Sequence, residues 1–315
     1  MIREESSRHR SGVVALVGRP NVGKSTLLNA LIGQKLAAVS RRPQTTRVRQ
    51  IGILTLPEAQ AVLVDTPGFH VPRDALGEVM AQTAEQALQD ADLILWVLDA
   101  SRPLAAEDRL VAQRVGALGA GEKTLPVANK GDLISPADLP SLAEEIRLLL
   151  PGVPLRRVSA ASGQGIPELL QAVVARLPLG PALYPPEQVT ASTEREIVGE
   201  LVREAALRQV REEVPHGLAV IVNQFLERER GKTFVDATLI VEKESHKPIL
   251  IGKGGERLKR IGTEARAQIE SALGRDLFLS LRVKVYPNWR EREALLRRLG
   301  FRTARRGPRA HSSPR

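Results

Sequence analysis

The sequence contains no cysteine, few aromatic residues and no long apolar run. The absence of cysteine among the 315 residues excludes disulfide bonds, thiolate metal ligands and a cysteine nucleophile, and it is consistent with a reducing cytoplasm. The longest apolar runs, such as Leu93–Leu98, are far too short to span a bilayer, and the polar start MIREESSRHR lacks the apolar segment of a secretory signal. We therefore expect a soluble cytoplasmic protein.

The length and the order of the patterns predict two domains, since 315 residues with 43% hydrophobic composition can form two separate cores. In the first half, short β-rich runs alternate with helical patterns such as Ser141–Leu150 and Ile166–Leu177. This alternation is typical of an α/β domain with a mostly parallel sheet and helices on both faces. The strand candidates are Val13–Val17, Gln50–Leu54, Ala61–Val64, Leu93–Leu98, Thr124–Ala128 and Leu155–Val158.

A segment with four prolines and a glycine, Leu177–Gln188, cannot continue a helix and is typical of an interdomain linker. Beyond it, a helical pattern, two strand patterns, a glycine-rich loop, a second helix and a third strand predict an α+β domain. The predicted divisions are an N-terminal tail (1–11), the α/β domain (12–178), the linker (179–191), the α+β domain (192–300) and a basic, disordered tail (301–315).

The positive charge is concentrated in the last fifth of the chain. The net charge is +10, yet residues 251–315 alone carry 17 Lys and Arg against 6 Asp and Glu, or +11. A basic block of this kind is the electrostatic pattern of a surface that binds nucleic acid or an anionic membrane. A solvated charged face that binds nothing is the alternative for any single cluster.

The stretch GRPNVGKST follows the first strand pattern and precedes the helical pattern LLNALI. It matches the phosphate-binding pattern G-x-x-x-x-G-K-[ST], in which glycines allow backbone N–H groups to surround phosphate oxygens at a helix N-terminus. Lys24 is predicted to reach the β- and γ-phosphates, and the Ser25 hydroxyl to bind Mg²⁺. The predicted phosphate-loop residues are Gly18, Arg19, Pro20, Asn21, Val22, Gly23, Lys24, Ser25 and Thr26.

The phosphate loop alone permits ATP or GTP, and three further motifs at successive strand ends favour GTP. DTPG places Asp65 where it can hold Mg²⁺, with Gly68 beside the γ-phosphate, and NKGD places Asp132 where its carboxylate can accept two hydrogen bonds from guanine. Adenine has no such donor pair. A backbone N–H of SAA can meet the guanine oxygen. The residues assigned here are Asp65, Thr66, Pro67, Gly68, Asn129, Lys130, Asp132, Ser159, Ala160 and Ala161.

A second glycine-rich loop opens the basic block. The G-x-x-G pattern IGKGG precedes a basic helical pattern, RLKRIGTEAR, within an α-β-β-α-β order. Small residues let a nucleic-acid backbone pass close to the chain, and the loop's N–H groups and cations can bind its phosphates. Because aromatic residues are only 3% of the chain, a base-stacking sheet is a less suitable RNA module than this one. The predicted RNA contacts are Ile251, Gly252, Lys253, Gly254, Gly255, Arg257, Lys259 and Arg260.

These motifs together resemble the translation-factor-like class of P-loop GTPases and, within it, the Era family, over nearly the whole chain. The resemblance includes QTTRV at Gln44–Val48, which is similar to the family's first switch, so that Thr46 is assigned to Mg²⁺ beside Ser25 and Asp65, with Thr45 the less favoured choice. It implies a GTPase domain followed by a KH type II RNA-binding domain. It also implies GTP and Mg²⁺ as ligands, binding near the 3′ end of 16S rRNA, and a role in 30S subunit maturation.

The residues assigned to catalysis are Lys24, Thr46, Gly68 and Asn21, and the neighbouring Phe69 and His70 also bear on the mechanism. Small signalling GTPases carry a water-orienting glutamine just after the second-switch glycine, where this chain has Phe69, so hydrolysis is expected to be slow without outside help. His70 is interpreted as an exposed switch histidine, because the sequence shows no partner for it. Similar GTPases with asparagine at the position of Asn21 bind K⁺, which motivates a K⁺ hypothesis.

The remaining aromatic and histidine residues are interpreted as structural. Trp289 is expected to pack in a core or between domains, whereas His216 and His246 are interpreted as surface residues. The leading hypothesis is a GTP-driven RNA-binding switch, monomeric and without DNA as a partner. The alternatives are a signalling switch for a protein partner and peripheral attachment to the inner face of the cell membrane.

Overall fold

The computed structural model describes residues 9–39, 46–210, 214–227 and 231–301. Its N-terminal half forms a six-stranded sheet. The strand order is β2-β3-β1-β4-β5-β6, and every neighbouring pair is parallel except β2 and β3. The predicted α/β class is confirmed. The strands are β1 (Arg10–Val17), β2 (Gln50–Thr55), β3 (Ala59–Asp65), β4 (Leu93–Asp99), β5 (Thr124–Asn129) and β6 (Arg156–Arg157).

Helices cover both faces of this sheet, so successive residues of the central strand β1 enter opposite cores. Val14 and Leu16 pack in one core, while Ala15 and Val17 pack in the other. Strands buried on both faces are hydrophobic throughout, which explains the continuous apolar run VVALV. The helices are α1 (Lys24–Ile32), α2 (Ala75–Asp90), α3 (Ala106–Ala117), α4 (Leu139–Leu149) and α5 (Ile166–Val174).

The proline-rich segment after α5 runs along the β2–β3 side of the sheet. Its Thr190 forms an isolated bridge with Gly52, and Ile53 donates a backbone hydrogen bond to Val189. The side chain of Gln60 accepts hydrogen bonds from two backbone N–H groups of this segment at 2.7 and 2.8 Å. These contacts fix the path of the segment on the sheet.

The C-terminal part forms a three-stranded sheet of order β7-β8-β9, in which β7 and β8 are antiparallel and β8 and β9 are parallel. Its helices pack on one face, where apolar side chains of α6 and α8 meet alternate residues of β8. The predicted α+β class is confirmed. The elements are α6 (Glu194–Gln209), β7 (Ala219–Leu226), β8 (Thr233–Val241), α7 (His246–Ile251), α8 (Glu256–Leu273), β9 (Leu277–Val285) and α9 (Glu293–Arg298).

The opposite face of the second sheet packs against α2 of the first unit. Trp289 is fully buried there with Leu76, Met80 and Ile240, and its indole N–H donates to the carbonyl of Gly217 at 2.9 Å. The packing role expected for Trp289 is therefore confirmed. Across the same contact, Arg290 pairs with Asp74 at 2.7 Å and with Glu242 at 2.9 Å.

One histidine differs from its sequence interpretation. His246, expected at the surface, is only 8% exposed, because it begins α7 and this helix packs against α8 and β9. His216 is exposed, as expected. No helix within the described ranges has the length and apolar character needed to cross a membrane.

Candidate nucleotide site and nucleic-acid groove

The phosphate loop connects β1 to α1 at the carboxyl edge of the first sheet. Gly18, Asn21 and Gly23 have φ angles of 153°, 66° and 97°, in the region that favours glycine. A Cβ on Gly18 would lie 2.3 Å from the Val97 carbonyl oxygen, and one on Gly23 would lie 2.3 Å from the Asn129 amide. The two glycines are therefore required by both backbone conformation and space.

Lys24 is buried beneath this loop at 6% exposure. Its ammonium donates to the carbonyls of Gly18 at 3.1 Å and Arg19 at 3.0 Å. Burial lowers the pKa of Lys24 to about 8, although the nearby Asp65 carboxylate opposes the shift. The buried cation is therefore oriented by the loop whose phosphate ligand it is predicted to bind.

The three predicted Mg²⁺ ligands lie together. The Ser25 hydroxyl lies 2.7 Å from Thr46 Oγ1 and donates to Asp65 Oδ2 at 2.6 Å, and Thr46 Oγ1 donates to the same carboxylate oxygen at 3.0 Å. Asp65 is fully buried, its Oδ1 has no hydrogen-bond partner, and burial raises the pKa of its carboxyl. An unpartnered buried carboxylate oxygen beside two hydroxyls fits a hard divalent cation such as Mg²⁺.

This site contains a single carboxylate. No group of three or more His, Asp or Glu side chains with metal-binding geometry occurs within the portion of the chain that the structure describes. Mg²⁺ is usually held by one or two protein oxygens together with phosphate oxygens and water, so a single Asp65 is consistent with it. Gln44 and Thr45 lie outside the described residues.

Residues 68–70, which we call the second-switch segment, contact the phosphate loop directly. The Phe69 N–H donates to the Gly18 carbonyl at 3.0 Å, and a Cβ on Gly68 would lie 2.6 Å from the Pro20 nitrogen. Phe69 is buried at 6% exposure. His70 is half-buried, and its Nδ1 lies 2.8 Å from the Gly68 carbonyl oxygen. That partner, which the sequence did not reveal, requires the proton on Nδ1.

The predicted base-binding residues meet at the ends of β5 and β6. Asn129 donates to the Val22 carbonyl at 2.9 Å and accepts from the Ala160 N–H at 3.0 Å, which joins the phosphate loop to the SAA segment. Lys130 pairs with Asp99 at 2.6 Å. Asp132 and Ala161 are exposed at the same edge. Since Asn129 already uses the Ala160 N–H, Ala161 is the more suitable donor to a base oxygen.

The other predicted phosphate-site residues support the loop. Arg19 pairs with the buried Asp108 at 2.9 Å, which holds the loop on α3. Thr66 is buried and donates to the Leu16 carbonyl at 2.8 Å. Arg19 and Thr66 thus have structural partners in addition to any contact with nucleotide.

The second glycine-rich loop joins α7 to α8. Gly252, Gly254 and Gly255 have φ angles of 75°, 59° and 83°, so three glycines are used in the left-handed region. Lys253, Lys259 and Arg260 are exposed. Arg257 donates to the Ile249 carbonyl, and its Cβ lies 2.8 Å from where a Cβ on Gly252 would be, so Arg257 supports the loop from within.

A groove of about 400 Å³ lies between α8 and the edge strand β9. It has an apolar floor and basic side chains on its rim. Phe278 is 57% exposed and stacks on Phe234 with ring centroids 5.9 Å apart. Sequence reasoning missed this aromatic pair, although the alternation of β9 indicates that Phe278 faces outward. The lining residues are Gly255, Leu258, Lys259, Gly262, Thr263, Arg266, Phe278, Leu279 and Leu281.

The fold and the two loops define a P-loop GTPase joined to a KH domain. Residues 13–130 match the family model described as 50S ribosome-binding GTPase, and residues 213–290 match the KH domain model. GTPase Era of Heliobacterium modesticaldum is 41% identical over 292 residues, which cover 93% of this chain and 97% of that protein. The chain belongs to the Era family and is a GTPase.

Two solved structures have the same architecture. Era in complex with MgGDPNP and nucleotides 1506–1542 of 16S ribosomal RNA is 39% identical, with a TM-score of 0.89. A point variant of Aquifex aeolicus Era bound to GDP and AlF4⁻ has the same identity and TM-score. Each match covers 93% of this chain and 99% of the other. The complete two-part arrangement is therefore shared.

Nucleotide binding is expected to become proton-linked above pH 8. The pKa of Lys24 is about 8, so the side chain is charged below this pH and increasingly neutral above it. Bound phosphates favour the charged form, so binding takes up a proton only where Lys24 starts neutral, and affinity should fall by at most about tenfold per pH unit above pH 8.

Calorimetric titration with GDP, in buffers of different ionisation enthalpy, measures this proton uptake. We expect Lys24 to take up only about a tenth of a proton at pH 7 and an increasing fraction toward about pH 9. An uptake of zero at both values would contradict the role assigned to Lys24.

Proposed function

We propose that this protein is a GTP-driven switch that binds single-stranded 16S rRNA near its 3′ end and acts in maturation of the 30S subunit. The observation that carries the proposal is the presence, in one chain, of the Ser25, Thr46 and Asp65 cluster and of the G-x-x-G groove beside β9. The proposal is supported by the related complex, which contains MgGDPNP and a 16S rRNA fragment, one ligand of each kind that the two sites are proposed to bind.

In the phosphate site, each group has one role. The phosphate-loop N–H groups bind the phosphates, and Lys24 supplies the positive charge for the β- and γ-phosphates. Ser25, Thr46 and Asp65 hold Mg²⁺, which neutralises charge that develops on the transferred phosphoryl group. The Gly68 N–H approaches the γ-phosphate. After hydrolysis, the contact of Thr46 with the cation is lost, and the first switch is released.

Guanine is proposed to bind at the edge formed by Asn129, Asp132 and Ala161. Asp132 accepts from the ring N–H and the amino group of guanine, and the Ala161 N–H donates to its O6. Because adenine leaves the carboxylate without donors, the site rejects adenine nucleotides. Asn129 contributes to guanine binding indirectly, because its hydrogen bonds hold the phosphate loop and the SAA segment at a fixed separation.

In the groove, the loop N–H groups and Lys253, Lys259 and Arg260 are proposed to bind RNA phosphates, while bases lie over the apolar floor. Phe278 offers an exposed ring on which one base can stack. The rRNA assignment is supported by the related complex. The family model matched by residues 13–130 does not include the groove, so its description does not bear on the RNA that the groove binds.

The hydrolysis of GTP is proposed to use K⁺ held beside Asn21. Asn21 is exposed in the phosphate loop with a φ of 66°, and its carbonyl accepts from Lys130 at 2.9 Å, which orients the residue at the edge of the site. A monovalent cation there would add positive charge beside the phosphates, in a site where Phe69 cannot orient the attacking water.

Turnover should therefore be faster in KCl than in NaCl at equal ionic strength. Asn21→Gly, which tolerates the φ of 66° but lacks the carboxamide, should remove the difference. Equal rates in the two salts for the unmodified protein would reject the K⁺ proposal. The measurement is phosphate release under saturating GTP.

RNA affinity should depend on the second glycine-rich loop. Gly254→Asp places a carboxylate where RNA phosphates pass, and it should weaken binding to the 16S 3′-end sequence by about 2 kcal/mol or more, or roughly thirtyfold. Fluorescence anisotropy with a labelled single-stranded RNA measures this change.

Gly274→Asp is the matched control. Gly254 lies in the loop before α8 and Gly274 directly follows α8, and both have a positive φ (59° and 65°) and open space around the Cβ position. Gly274→Asp adds the same charge and similar strain away from the groove. Equal loss of affinity in both variants would contradict groove binding and indicate a general charge effect.

The proposed location is the cytoplasm, as a monomer, with any membrane association peripheral. A signalling switch for a protein partner and a lipid-binding basic segment are the competing functions. Retained binding to anionic vesicles together with absent RNA binding would favour the membrane alternative. Retained GTP turnover with neither RNA nor vesicle binding would favour a protein partner.

A further inference from the structure

Arg47, the residue after the predicted Mg²⁺ ligand Thr46, is buried in the C-terminal domain. Arg47 is only 3% exposed, and its guanidinium donates hydrogen bonds to three backbone carbonyls. Nη1 donates to Leu218 at 2.7 Å, and Nη2 donates to Pro215 at 3.2 Å and to His216 at 2.9 Å. The acceptors belong to one short segment before β7.

This arrangement is specific for arginine. The guanidinium carbon of Arg47 lies 5.7 Å from the ring centre of Trp289, and the indole N–H of Trp289 donates to Gly217 within the same segment. A planar cation that stacks on an indole while it donates to several carbonyls uses properties that lysine lacks. Removal of the guanidinium would leave three carbonyls without this donor, which is costly inside a protein.

Adjacent residues therefore connect two different parts of the molecule. The Thr46 hydroxyl lies 2.7 Å from Ser25 and 3.0 Å from Asp65, while Arg47 binds the C-terminal domain. On the other side of residues 40–45, the Val39 N–H donates to the fully buried Glu204 of α6 at 3.0 Å. The chain is thus attached to the C-terminal domain at Val39, before residues 40–45, and at Arg47, directly after Thr46.

We propose that Arg47 is a positioning residue, which acts through Thr46 and makes Mg²⁺·GTP binding depend on the KH domain. The inference rests on the proposed function, since it assumes that Thr46 binds Mg²⁺. When Arg47 occupies its carbonyl site, the backbone at residue 47 is fixed and the Thr46 hydroxyl faces Ser25 and Asp65. By thermodynamic linkage, any KH-domain ligand that stabilises the carbonyl segment also stabilises the GTP state.

The test compares release of a fluorescent non-hydrolysable GTP analogue with release of fluorescent GDP over a range of Mg²⁺ concentrations, in the full-length protein. Because Thr46 acts on the GTP state, Arg47→Met should accelerate release of the GTP analogue by about tenfold and raise the Mg²⁺ concentration that slows it. GDP release should stay within about twofold of the unmodified rate.

Three further variants separate the possible outcomes. Arg49→Ala removes an exposed arginine two residues away and should change neither rate. Arg47→Lys keeps the charge and N–H donors but not the planar fork, so it should give an intermediate effect, and it carries the test if Arg47→Met does not fold. Thr46→Ala should show the same selectivity for the GTP analogue.

Each contrary result has a distinct meaning. A selective effect of Thr46→Ala, with Arg47→Met and Arg47→Lys indistinguishable from Arg49→Ala, would overturn the role of Arg47 and leave the proposed function intact. No effect of Thr46→Ala would reject the Mg²⁺ assignment on which the proposed function depends. Equal acceleration of both nucleotides by the Arg47 variants would show general damage to the site and would also overturn the inference.

Discussion

The buried carboxylate of Asp65 is the group around which the nucleotide half is organised. It lies at the end of β3, next to the strand that leads into the phosphate loop, and it receives hydrogen bonds from α1 through Ser25 and from the first switch through Thr46. One of its oxygens has no protein partner. A carboxylate buried in this manner is stable as an ion only beside positive charge, which Lys24 and a bound cation supply. In the proposed function, phosphate binding, cation binding and the position of Thr46 therefore depend on one another.

The same dependence extends into the KH domain through a few buried polar contacts. Arg47 reaches the carbonyl segment before β7, and Glu204 binds the chain near Val39. Trp289 packs against Leu76 and Met80 of α2, and the guanidinium of Arg47 lies over its ring. Such contacts oppose gradual motion, because a displaced guanidinium or carboxylate would be buried without partners. The groove lies at the far edge of the second sheet, so coupling between the groove and the phosphate site is transmitted through this sheet and its helices.

The sequence predicted those parts of the protein that short motifs determine. Gly18 and Gly23 are needed for local backbone conformation, and Asp65 follows a recognisable strand, so their positions could be inferred without a structure. The six strands of the first sheet were predicted to within a few residues, because their apolar pattern is strong. Contacts between distant segments left no such pattern. Neither the Arg47 site nor the Phe278 stack could be inferred, and the wrong prediction for His246 arose because burial by a short helix depends on tertiary packing.

Coupling between the groove and the phosphate site is tested most directly by the rate of GTP hydrolysis with a single-stranded RNA that copies the 3′ end of 16S rRNA, beside a scrambled RNA of equal length. The matching RNA alone should accelerate hydrolysis, since the KH domain and the phosphate site are joined through buried contacts. Tight binding of the matching RNA with an unchanged rate, under conditions in which the protein turns over GTP, would contradict coupling between the KH domain and the phosphate site.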